Sequence, residues 1–239
     1  MNFSSATAGR FDLRTLLQGQ ADKLLLWTKP GESRTIVFNV AVILLGAGLY
    51  GAAMGWWREP LQGFYVAIKF PLVILLTTLG NALLNAMLAP LLGLNISFRQ
   101  SLLAILMSFT ITAAVLGAFS PLAAFVVWNA PPMTPDVKST LTYGFIKLLH
   151  VAVIAFAGIV GTVRLFQLLT QLGGSKTVAR RVLFAWLAGN LFLGSQLTWI
   201  ARPFIGAPHL PVVLLRDTAL QGNFYENVFA TLKQLLGIN

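Results

Sequence analysis

Two histidines, no cysteine and seven acidic residues stand in a chain of 239. Without cysteine there are no disulfides, no thiol catalysis and no thiolate metal site. His150 and His209 are 59 residues apart, which leaves no spacing suited to a histidine metal centre. No Asp or Glu falls within any long apolar stretch. An ionisable group inside a bilayer is costly and is normally kept for function. A carboxylate proton relay, an aspartyl protease or a carboxylate metal site is therefore not expected. A serine triad fares no better, since no acid lies at the depth of His150 to orient it.

His150 is the sharpest single residue. Ala157, Gly161 and Arg164 follow it along one helical face. One chemistry for that face is an anion or lipid path, with Lys147, His150 and Arg164 as its cations. Another is a lone axial ligand to a haem or pigment. The plainer reading is a neutral histidine bonded to a neighbouring helix, with no cofactor. Other polar stripes are Thr78, Asn81 and Asn85; Ser101, Ser108 and Thr112; and Asn39, Gly46 and Tyr50; the last span carries Asn190 and Gln196, though not on one stripe. Such groups either bond helix to helix or line a polar path. The candidate path or contact residues are thus Asn81, Asn85, Ser108, Thr112, His150, Arg164 and Asn190. "GGSKT" (173–177) lacks the spacing of a phosphate loop. Lys176, Arg180 and Arg181, at a helix start, suit an anionic lipid headgroup. Lys69 and Lys147 are expected to snorkel to the interface.

The elements that hold these residues follow from composition. The chain is 56% hydrophobic and only 10% charged, with a mean hydropathy of +0.76. Soluble domains carry about 25% charged residues, so an all-α integral membrane protein is expected. A span needs about 20 apolar residues. Five stretches qualify: Thr35–Trp57, Phe64–Leu92, Phe98–Trp128, Leu141–Leu169 and Val178–Ile200. "NAPPMTPDVKS" and "QLGGSKTVARR" separate two pairs of them, with Gly173 or Gly174 suited to a helix C-cap and Ser175 or Thr177 to an N-cap. No secretory signal is expected at the N-terminus.

Leu13, Leu16, Leu17 and Leu24 share one face before the first span. Tyr225, Val228, Phe229, Leu232, Leu235 and Leu236 share one after the last. Both predict amphipathic interfacial helices, the second opened by Asn223 with Glu226 and closed at Gly237. The expected domains are a cytoplasmic amphipathic segment (1–33), a five-span bundle (34–201), and a surface connector with its helix (202–239). The formal net charge is +10, placed mostly at span ends, which points to topology and anionic lipid rather than nucleic acid. Ten Lys and Arg fall on the N-terminal side against seven on the other, predicting a cytoplasmic N-terminus.

Trp57, Trp128 and Trp199 are spaced 71 and 71 apart, each followed by proline. This suggests a helical-hairpin repeat with the tryptophans as interface anchors. "LTWIARPFIGAPHLPVVLLRDTALQGNFYENVF" is then the third connector, lying on the membrane surface, not a sixth span.

"GWWREPLQGFYVAIKFPL", "LGLNISFRQSLLAILMSF" and "RPFIGAPHLP…LLR…GNFYE" resemble a group of uncharacterised bacterial multi-pass membrane proteins loosely grouped with the Yip1-like family. The resemblance implies a five-span bundle in the bacterial inner membrane with no established enzymatic activity. The expected function is a non-enzymatic scaffold or adaptor subunit. Its partners would be membrane lipids, including anionic headgroups, and other membrane subunits or a second copy. The alternative is a channel or permease subunit passing an anion or lipid.

Overall fold

The computed structural model describes residues 13–18, 33–133, 137–207 and 210–235. Among the described residues seven helices follow one another: α1 Leu13–Gln18, α2 Ser33–Trp56, α3 Pro60–Leu91, α4 Phe98–Asn129, α5 Val137–Gly173, α6 Lys176–Ala201 and α7 Phe224–Leu235. No strand occurs among the described residues. Helices α2 to α6 are long and apolar enough to cross a membrane, over Arg34–Trp56, Pro60–Leu91, Phe98–Asn129, Leu141–Gly173 and Lys176–Ala201. The five expected stretches match these, and the extra turn at the start of α3 carries polar Gln62, which the hydropathy reading left out.

Local chemistry sets the helix ends. Ser97 opens α4 with a full capping box: its Oγ accepts from the Gln100 N–H, and Gln100 Oε1 accepts from the Ser97 N–H at 2.9 Å. Ser175 caps α6 by accepting from the Thr177 N–H, and Gly174 takes the left-handed turn between α5 and α6 with φ +61. Asn223 accepts from the Glu226 N–H at 2.9 Å where α7 begins.

Glycines bring α2 close to two neighbours. Along α3, a Cβ on Gly55 would stand 2.7 Å from the Gln62 carbonyl oxygen, and one on Gly51 2.7 Å from that of Val66. Gly46 rests on the Ala113 backbone of α4, and a Cβ on Gly117 would stand 3.0 Å from Gly46 Cα. In lipid, helices associate by this kind of close packing, because exposed apolar side chains are already well solvated. Helix α3 runs antiparallel to α6, and α4 antiparallel to α5. Helix α6 is the least enclosed of the five, with only Ala179, Val182, Trp186 and Ala201 buried.

Leu16 of α1 is fully buried and joins the core around Leu103, Ile105 and Trp186; its packing is against protein. Leu24, Leu236 and Gly237 of the two expected surface helices lie outside the described residues. In α7 Tyr225 stacks on Phe192 of α6 with ring centroids 6.0 Å apart, while Val228 and Phe229 are exposed.

Candidate functional site

The polar stripes meet one another, or a neighbouring backbone, across helix boundaries. Asn81 Nδ2 on α3 donates to Asn190 Oδ1 at 2.5 Å and to the Trp186 carbonyl at 3.1 Å, both on α6. Within α3, Asn85 Nδ2 donates to Asn81 Oδ1 at 2.7 Å and so braces that amide. Ser108 on α4 donates to the Gly161 carbonyl of α5 at 3.0 Å. Thr112 Oγ1 sits 3.3 Å from the Ala157 carbonyl and 3.1 Å from that of Ser108. A double-mutant cycle of Asn81→Leu and Asn190→Leu, read by unfolding in detergent, is expected to give a coupling of about 1 kcal/mol; additivity would mean the pair carries no net energy.

His150 faces α2. Its Nδ1 shares a 2.8 Å hydrogen bond with the Tyr50 hydroxyl, and the two rings meet edge to face. His150 is 2% exposed, and its Nε2 has no partner. Arg164 is held elsewhere, donating to Gln167 Oε1 at 3.0 Å, about 21 Å further along α5 at 1.5 Å per residue. The structure therefore keeps His150 and Arg164 apart, although they share a stripe in sequence. Tyr50→Phe removes the one partner of a buried imidazole and should cost about 1–3 kcal/mol in thermal unfolding. A silent Tyr50→Phe would show that the bond is not needed.

A cleft of about 330 Å³ opens between α3, α4, α5 and α6. Its polar lining is Thr77, Ser108, Thr112, Thr162, Asn190 and Thr198, set among apolar side chains such as Phe70, Leu116 and Leu165. Thr77 Oγ1 is buried there without a partner. Of the expected path residues, Ser108, Thr112 and Asn190 reach this cleft, while Asn81, Asn85, His150 and Arg164 do not line it. Thr77, Thr162 and Thr198 were not singled out by sequence. Each is one hydroxyl in an apolar run, and only the approach of four helices groups them.

The connector after α6 holds what sequence reading missed. Lys69, expected to snorkel, is instead enclosed by protein and 5% exposed. Its Nζ donates to the carbonyls of Pro203 at 2.5 Å and Leu214 at 2.9 Å and lies 5.5 Å from the Phe204 ring centroid. The ammonium does not reach outward because the connector covers it and supplies its acceptors. Gln62 Nε2 donates to Pro203 and Phe204 carbonyls at 2.9 and 3.1 Å, and Arg58 donates to Leu210 at 3.3 Å. Irregular backbone at such depth is tolerated where protein donors satisfy it. A lysine deep in an apolar helix was the signal that could have revealed this, since a buried charge requires partners. Its acceptors could not be read, because they lie 134 and 145 residues away. His209, in the same connector, lies outside the described residues.

Arg202 stacks on Trp199, its guanidinium carbon 3.7 Å from the ring centroid. It donates to the Trp199 and Thr218 carbonyls. Burial, then the nearby Arg216 charge, pulls its pKa below the usual value.

The remaining candidates separate. Lys176, Arg180 and Arg181 are exposed at the start of α6. Arg180 and Arg181 border a shallow hollow with Leu92 and Phe184. The three tryptophans occupy different settings. Trp57 is buried and its Nε1 donates to the Pro131 carbonyl at 3.0 Å. Trp128 is 67% exposed and meets Trp56 edge to face. Trp199 Nε1 donates to the Gln221 carbonyl at 3.4 Å. No group of three or more metal-ligating side chains occurs among the described residues. No protein-family model, curated protein or solved structure matches the chain.

Proposed function

We propose that this protein is a non-enzymatic scaffold or adaptor subunit of a membrane assembly. The observation that carries the reading is where the polar side chains go. The Asn81 amide, the hydroxyls of Ser108 and Thr112, and the His150–Tyr50 pair all join helices to one another, and Asn85 braces Asn81 from within α3. Groups used this way make a rigid body of five helices. Helix α6 then offers a partner an open apolar face with Phe184, Leu191 and Phe192. On this reading the protein lies in the bacterial inner membrane with its N-terminus in the cytoplasm. The chain ends rest on the two membrane surfaces, Trp57, Trp128 and Trp199 mark the far interface, and the hairpins derive from a repeated unit. Lys176, Arg180 and Arg181 contact anionic lipid at the cytoplasmic side.

The second reading, a channel or permease subunit for an anion or lipid, is favoured by the four-helix cleft with its hydroxyl lining. Purification of the tagged protein from its native membrane in mild detergent, with mass spectrometry of co-migrating chains, separates the two. A stoichiometric partner is expected. A homogeneous homo-oligomer without one would reject the adaptor reading and lead to flux assays in liposomes.

A further inference from the structure

Among the described residues, Lys69, Lys147, Arg202 and Arg216 collect at the connector end of the bundle without a carboxylate partner. A pocket of about 220 Å³ is lined there by Tyr143, Lys147, Phe204, Gly206 and Arg216 among others. Among the described residues, neither the Lys147 ammonium nor the Arg216 guanidinium has a hydrogen-bond or ion-pair partner. Arg216 lies within Coulombic reach of both Lys69 and Arg202, whose own bonds go to neutral carbonyls. Asp217, next in sequence, pairs with none of the four. Cations held together by the fold repel one another until an anion joins them. An ammonium and a guanidinium facing one pocket form a donor set for the several oxygens of a phosphate.

The pocket also has an apolar neighbour. Phe204 in its wall meets Phe70 edge to face, with centroids 6.2 Å apart, and Phe70 lines the four-helix cleft. On α5, Lys147 in the pocket is followed by Ile154, Gly158 and Leu165 in the cleft, at spacings of seven, four and seven that keep one face. The cleft lining is neutral and mainly apolar, the complement of a hydrocarbon chain. A Cβ on Gly158 would meet nothing within 4 Å, so there is room beside that helix face.

We propose that the Lys147–Arg216 pocket binds the phosphate of an anionic amphiphile whose chain runs along α5 into the four-helix cleft. Charge complementarity selects the headgroup, and the adjoining cleft selects a lipid over a free anion. The site stands apart from the adaptor reading, whose failure would appear in co-purification and not in lipid binding.

The test uses the full chain in neutral detergent with three probes: dioctanoyl phosphatidic acid, dioctanoylglycerol and inorganic phosphate. Phosphatidic acid is expected to bind, and each of the others to bind roughly tenfold more weakly or worse, because each lacks one half of the ligand. The double variant Lys147→Gln, Arg216→Gln should weaken phosphatidic acid roughly tenfold or more through the lost charge-assisted bonds, and leave dioctanoylglycerol unchanged. Lys147→Arg should retain binding. Gly158→Leu, which fills the cleft, should weaken phosphatidic acid and leave inorganic phosphate unchanged. Thermal unfolding of each variant identifies any that is misfolded, and Lys147→Arg and Gly158→Leu then still test the two halves separately. The proposal is overturned if phosphatidic acid fails to bind, or if its binding survives loss of both cations. It is also overturned if inorganic phosphate binds as tightly and Gly158→Leu is silent, which would make this a free-anion site.

Discussion

Gly46→Leu is expected to be the most damaging single substitution in the bundle. Gly46 sits where α2 crosses α4, and a Cβ there would collide with the Ala113 carbonyl, a backbone group that cannot swing aside. Gly117 returns the contact from α4. A leucine must therefore push the two helices apart. That would strip Ile43, Ala47, Leu106 and Ala113 of neighbours in the apolar cluster they share. It would also pull Thr110 Oγ1 away from the Asn39 carbonyl. Overpacking in a rigid core costs about 1–3 kcal/mol and sometimes more; with backbone as the obstacle, about 3 kcal/mol is expected. Thermal unfolding in detergent reads the loss. Gly144→Ala supplies the contrast: a Cβ there meets nothing within 4 Å, so a small gain from higher helix propensity is expected. Equal effects at the two positions would show that the close crossing does not hold the bundle.

Lys69→Met is expected to free the connector. The substitution keeps the length of the stem and removes the ammonium, so the carbonyls of Pro203 and Leu214 lose their donor. A hydrogen bond to a charged group contributes about 1.5–3 kcal/mol, so a destabilisation of about 3 kcal/mol is expected from the two bonds together. Gln62 would still hold Pro203 and Phe204, so the loss should fall mainly on the segment nearer Leu214. Tryptic cleavage after Arg216 should become faster in the variant, while Lys147→Met, at an exposed position, should leave cleavage unchanged. Unaltered proteolysis in Lys69→Met would mean that apolar packing of Phe204 against Phe70 secures the connector without the lysine.

Both predictions concern residues whose identity was plain in the sequence and whose partners were not. Nothing in the spacing of Gly46, Gly51 and Gly55 says that α3 lies against the latter two while Gly46 meets α4. The stripe from His150 to Arg164 was legible on one helix, but Tyr50 claims the histidine from another, 100 residues earlier in the chain. Lys69 was visible inside an apolar run and was expected at the interface, because a single helix offers a lysine only the choice of snorkelling. The fold supplied a third course, a returning segment with free carbonyls.

Composition and spacing therefore specify only what is local and one-dimensional: five apolar helices long enough to cross a membrane, a cap at Ser175 or Thr177 for the last of them, Asn223 at the start of the helix that follows, and polar or small residues along each span. Hydropathy and hydrogen-bond chemistry act over a few residues and need no partner to be specified. Helix packing sets which stripes meet, that Asn81 and Asn190 close on each other while Thr77, Thr162 and Thr198 gather round a cleft, and that the connector seats on Lys69. Those outcomes depend on which helices become neighbours, and helical periodicity says which way a face points along its own axis but not which face it meets.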